Sequence, residues 1–146
     1  MTASEFPGAI PFDLWNIVPP SLARILPNVM WNRERLHSLA LPVVVLSVRE
    51  LSWQLDLPWW RVDQRYFAVS PNQVRREPRT YARHWQRTLD ADPRFPIHLL
   101  ERERLIILDG VHRLLKTDVQ GLEHVSAQVV SHALFADYIV ERVEST

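Results

Sequence analysis

Apolar positions along this chain fall into two spacings, a helical one near 3.6 residues and short unbroken or alternating runs. Pro7, Pro11, Pro19 and Pro20 break up the first twenty residues and predict an irregular arm that docks on the rest. "SLARIL" from Ser21 and "NVMWNRERLHSL" from Asn28 each place a capping-type residue ahead of helical spacing, predicting two short helices. "PVVVLSV", residues 42–48, is β-branched and almost wholly apolar, the pattern of a buried strand. "RELSWQLDLPWWRVDQRYFAV" satisfies both periods and is read as a short helix followed by a loop.

Ser70-Pro71 opens a helix over "PNQVRRE", and after Pro78 "RTYARHWQRTLDAD" resumes with Tyr81, Trp85 and Leu89 on one face. "PIHLL" and "RLIILD", separated by the charged "ERE", predict a strand hairpin. "GVHRLLKTDVQ" follows as a helix closed by Gly121, then "HVSAQVV" as a strand, then an amphipathic helix over residues 133–143. Strands interleaved with helices give an α/β or α+β class, a small mixed sheet flanked by helices. Residues 1–40 read as an arm with short helices packed on the core and residues 41–146 as the body of one domain.

Composition narrows the chemistry. The 146 residues contain no cysteine, which removes disulfides, thiolate metal sites and a cysteine nucleophile, and fits a reducing compartment. Seventeen basic side chains against seventeen acidic ones leave no net charge for general polyanion binding, so any anion site must be local. The start lacks the basic-then-apolar order of a signal peptide, and "LALPVVVL" is far short of the roughly 20 residues of a membrane span. The expectation is a cytoplasmic protein without membrane contact.

The sharpest feature is "LDGVHRLLK", residues 108–116. A strand runs into Asp109-Gly110, and a helix starts at once. The first amides of such a helix lack intrahelical partners and carry the positive end of its dipole. At 100° per residue His112, Arg113, Lys116, Thr117 and Gln120 share one arc, while Val111, Leu114, Leu115 and Val119 share another. The expectation is an aliphatic face buried and a basic face beside a bare helix start, with Arg113 and Lys116 for phosphate oxygens and His112 for proton exchange. The plainer alternative is a capping Asp109, a turn glycine and a solvated basic face. Asp118 lies toward the apolar arc near the negative helix end, so it is expected to be ion-paired or at the edge of the core.

"LIILDGVHRLLKTDVQGLEHVSAQVV" resembles the ParB/sulfiredoxin-like fold, whose members carry a strand, an Asp-Gly-x-His-Arg type motif, a helix, a glycine and a further strand. The likeness extends from about Pro42 to Val130, with "PVVVLSVREL" as the opening strand. Its members include a nucleotide-binding chromosome-partition protein, a cysteine-dependent sulfinic acid reductase and kinases of free amino acids. The resemblance implies nucleotide phosphates at Gly110, Val111, His112, Arg113 and Lys116. It also implies ATP or ADP, or CTP, with Mg²⁺, and a carboxylate base shortly after the opening strand, matched by Asp56 and second by Glu50. The absent cysteine excludes the reductase chemistry. Asp109 and His112 would position phosphate or Mg²⁺ for transfer to a small metabolite.

Other features have two readings. Trp53, Trp59 and Trp60 wall a pocket or fill the core, the second preferred. Arg76, Arg79, Arg83 and Arg87 form a nucleic-acid stripe or a solvated face, again the second preferred, which argues against nucleic acid as partner. His84, His98, His124 and His132 show no metal-ligand spacing and are taken as structural or surface residues, so no metal site is expected from spacing. A homodimer is one assembly open to the chain.

Overall fold

The computed structural model describes residues 12–141. The start of the predicted arm, residues 1–11, and the end of the predicted last helix, beyond 141, lie outside the described residues.

The fold is α+β: a four-stranded mixed sheet, a separate two-stranded hairpin, and helices on both sides. In chain order come α1 (Pro20–Ala23), α2 (Arg33–Ser38), β1 (Val44–Ser47), α3 (Val48–Leu51), a 3-10 turn Ser52–Asp56, β2 (Trp60–Val62), β3 (Arg65–Val69), α4 (Pro71–Arg76) and α5 (Ala82–Asp90). β4 (Ile97–Glu101), β5 (Leu105–Asp109), α6 (Val111–Val119), β6 (His124–Val130) and α7 (His132–Leu134) complete it, α7 running into a π turn Phe135–Ile139. The main sheet has the order β1-β6-β4-β5, with β4 parallel to β6 and the outer pairs antiparallel. Among the described residues no helix is long and apolar enough to cross a membrane.

Two cores flank this sheet. On one face Ile97, Leu99 and Ile107 meet Leu114 and Leu115 of α6, Leu51, Leu55, Val74 and Trp60. On the other, Leu100 and Val130 meet Leu36 of α2, Trp31, Phe135 and Ile139. Trp60 is thus core, as preferred from sequence.

The predicted hairpin, the helix after Asp109, the Gly121 cap at φ +72° and the last strand are all present. Ser70 caps α4 in a full capping box with Gln73. Other expectations need correction. "PVVVLSV" forms an edge strand paired only with β6, so Val43 and Val45 stay 56% and 65% exposed rather than buried. α2 is capped by Asn32, whose Oδ1 accepts from the Arg35 amide, and not by Asn28. The stretch after Asp56 read as a loop is the β2–β3 hairpin. The last helix stops after a π turn, and Val140 bridges back to Trp31. Leu89 of α5 is exposed, and the buried positions of that helix are His84 and Thr88. The arginine stripe is broken, because α4 ends at Arg76 and α5 starts at Ala82.

β5 is the opposite edge, and it is covered. The buried Gln54 side chain donates to the Leu105 carbonyl and accepts from the Ile107 amide, at 3.0 and 2.9 Å, taking the place of a neighbouring strand.

Candidate functional site

The chain turns from β5 into α6 at Gly110, which has φ +110°. A Cβ there would lie 2.6 Å from Ile97 Cγ2 and 3.1 Å from Ile97 Cα, so both backbone angle and space demand glycine. No side chain caps the start of α6, and no acidic residue sits in its first turn. Asp109 is therefore not the helix cap.

Asp109 faces elsewhere because β5 contains a bulge. Leu99 pairs with Ile107, but His98 pairs with Asp109, leaving Leu108 as the extra residue. Leu108 packs in the α2-side core, and the bulge turns Asp109 to the same side, away from the face that α6 covers. There Asp109 Oδ2 lies 2.9 Å from His37 Nε2 and 4.0 Å from His98 Nδ1, while Arg33 Nη2 reaches Oδ1 at 3.4 Å. Arg33 and His37 lie four apart on α2, one turn and one face. The His37 and His98 rings stand 4.9 Å apart.

His98 is 8% exposed and its Nδ1 has no hydrogen-bond partner. Burial holds its pKa below the usual histidine range, helped by His37 and Arg113 and opposed by Asp109 and by a hydrogen bond to Gln128. The Gln128 amide nitrogen donates to the Leu41 carbonyl at 2.7 Å, so its oxygen faces the histidine. With Nδ1 unpartnered, that bond falls on Nε2–H, which leaves a lone pair on Nδ1 directed at Asp109 and His37.

The predicted basic face of α6 is engaged differently. Arg113 Nη1 donates to the Pro96 carbonyl at 3.0 Å, and Lys116 Nζ donates to the carbonyls of Leu89 and Ala91. Both cations fasten the connection between α5 and β4. His112 stacks on Trp60 with ring centroids 4.1 Å apart, and His84 stacks there too at 4.7 Å. The imidazoles are only 5.6 Å from each other, so both lie on one face of the indole. His84 Nε2 must donate to the Arg61 carbonyl, so in neutral His84 Nδ1 accepts from His112 Nε2, 3.4 Å away. Burial, then the charges of Arg87, His84 and Arg113, hold the His112 pKa well below its ordinary value. It is a neutral packing residue in this setting.

Asp56 is not brought to the hinge. Its Oδ1 accepts from Asn72, Asn72 accepts from Arg75, and Arg75 binds Asp118 in the last turn of α6. That helix end is roughly 12 Å from the start. The same chain of contacts gives Asp118 an ion-pair partner. Glu50 lies on α3, exposed.

Of the residues singled out in the sequence, Asp109 and Gly110 with the amides of Val111 onward stand at one place. His37, Arg33 and His98 join them unforeseen. The available signal was the Arg33/His37 spacing on a capped helix and a histidine inside an otherwise apolar strand. The Mg²⁺ implied by the resemblance does not fit this donor set, since two of three side-chain donors are imidazole nitrogens and Mg²⁺ takes oxygen ligands. A shallow cavity of about 250 Å³ lies elsewhere, lined by Arg24, Ile25 and the β4–β5 turn residues Arg102–Arg104.

Compared with protein-family models, curated proteins and solved structures, the chain matches none of them.

Proposed function

We propose that the chain is a phosphate-ester-binding protein of the nucleotide-dependent phosphotransferase class, acting on a small metabolite at the Asp109–Gly110 hinge. The observation that carries this reading is the bare start of the nine-residue α6 beside the Arg33–Asp109 contact. Helix amides without a side-chain cap favour an anion, and Arg33 places a half-exposed guanidinium on Asp109, two residues before the helix begins. The order strand, Asp-Gly, His-Arg, helix adds support through its likeness to the ParB/sulfiredoxin-like fold, with the partner a nucleotide and the setting cytoplasmic.

The roles differ from those expected of the motif. Arg33 and the first α6 amides hold phosphate, and Asp109 orients what approaches from the α2 side. His112, Arg113 and Lys116 support the hinge through packing and carbonyl contacts. A second reading, a nucleotide-binding module without turnover, is favoured by the stacking of His112 on Trp60 and by the surface contact of Asp56 with Asn72, which leave the expected acid–base groups committed.

Thermal-shift and turnover assays with ATP, ADP and CTP across hydroxylated and amino-acid-like metabolites separate the two. Nucleotide stabilisation lost in Arg33→Ala is expected under both readings, and nucleotide consumption only under the first. No shift with any nucleotide contradicts both.

A further inference from the structure

We propose that His37, His98 and Asp109 form a binding site for one first-row transition-metal dication of the Zn²⁺ type. This inference concerns the α2-side face of the hinge and needs no phosphate chemistry, so it is separable from the nucleotide reading.

Two independent observations carry it. The first is geometry: one ring nitrogen each of His37 and His98 and a carboxylate oxygen of Asp109 all lie within 4.8 Å of one another, and Oδ2 of Asp109 faces Nε2 of His37 and Nδ1 of His98. A tetrahedral ion with bonds of 2.0–2.2 Å holds its donors roughly 3.3 Å apart. The observed separations from Oδ2, 2.9 and 4.0 Å, straddle that value, and the half-exposed His37 side chain is able to adjust. The second is the state of His98. A buried imidazole nitrogen without a partner is costly, and here it points at a carboxylate and a second imidazole.

The surroundings are those a metal-binding histidine needs. Gln128 takes the Nε2 proton of His98 and Leu41 anchors Gln128, which leaves Nδ1 as the donor atom. Arg33 holds Oδ1 of Asp109 and leaves Oδ2 turned to the imidazoles. On binding, neutral His37 carries its proton on Nδ1, and Nε2 exchanges its bond to Asp109 for one to the ion. Two imidazoles with one carboxylate select an imidazole-preferring ion over Mg²⁺ or Ca²⁺. Three protein donors leave the ion open positions for water or an anionic oxygen, the arrangement of a reactive centre rather than a closed structural one.

The full chain, stripped with chelator and dialysed, is titrated with Co²⁺ alone and with Zn²⁺ alone. One equivalent of Co²⁺ with intense visible d–d bands is expected, displaced by equimolar Zn²⁺ but not by Mg²⁺. His37→Ala, on an exposed side chain, and Asp109→Asn should each weaken binding by about tenfold or more with an unchanged far-UV spectrum. His98→Phe, which retains an aromatic ring, should do the same. Absence of Co²⁺ and Zn²⁺ binding at micromolar protein overturns the proposal. So does binding unchanged in His37→Ala and Asp109→Asn, or equal displacement by Mg²⁺. Nucleotide titration of the same chelated protein reports on the phosphate reading independently.

Discussion

A methyl group added at Gly110 would meet Ile97 side-chain and backbone atoms and would sit on a left-handed backbone angle. Strain of that kind costs roughly 1–3 kcal/mol, and crowding adds a comparable amount. Gly110→Ala is therefore expected to lose about 2–6 kcal/mol in urea unfolding, whereas Gly121→Ala, whose Cβ would meet nothing within 4 Å, should lose less. His112 makes a second prediction at this scale. Its folded pKa lies well below 6.5, so beneath that value the unfolded chain binds the extra proton. Stability is then fully present above about pH 6.5 and falls as pH drops toward the folded pKa; His98, also shifted down, adds in the same direction. Replacing the ring in His112→Phe should flatten this slope between neutral and mildly acidic pH, measured by denaturant midpoints. Asp118 shows how far a single residue can be read: its misplacement on the apolar arc foretold an ion pair or a place at the core edge, and Arg75 is the ion-pair partner. The identity of the partner was not readable, because α4 reaches it only through the folded chain.

Elements were legible where local chemistry and periodicity agree. Ser70-Pro71 with Gln73 supplies its own start signal, and Ser70→Ala should cost about 1 kcal/mol in thermal unfolding through loss of the cap. The β2–β3 hairpin was hidden for the opposite reason. Its turn uses Asp63 at φ +54° and its bulge uses Phe67 at φ +53°, with no glycine to mark either. β1 misled because its valines imply burial, while the order of the sheet leaves it on an edge. For α6 the aliphatic face held at Leu114 and Leu115 but not at Val119, which is 39% exposed, while Thr117 of the expected basic face is buried; periodicity sets the directions of side chains, not what lies against them. The carbonyls of Leu89, Ala91 and Pro96 lie against Lys116 and Arg113, so Arg113→Ala should speed amide exchange in the Asp92–Phe95 segment with only a small effect on nucleotide affinity. A large, selective loss of affinity with unchanged exchange would restore the phosphate role for Arg113.

For the whole molecule, the site is a product of tertiary assembly. Half of it, Asp109-Gly110 and the first α6 amides, is contiguous and stood out in the sequence. The other half comes from α2 and β4, brought in by the packing of Leu36 against Leu100 and by a one-residue bulge that re-aims Asp109. Neither long-range contact nor bulge leaves a periodic signature, so spacing alone placed the ligand on the basic arc of α6. In the proposed reading that centre lies on the α2 side.

A nucleotide titration followed by amide chemical shifts tests this relocation most directly. Saturating ATP should move the amides of Gly110, Val111 and His112 together with those of Arg33 and His37, and Asp109→Asn should alter that pattern. Unchanged Gly110–His112 amides, or shifts confined to Asp56, Asn72 and Arg75, would contradict a ligand centre at the hinge.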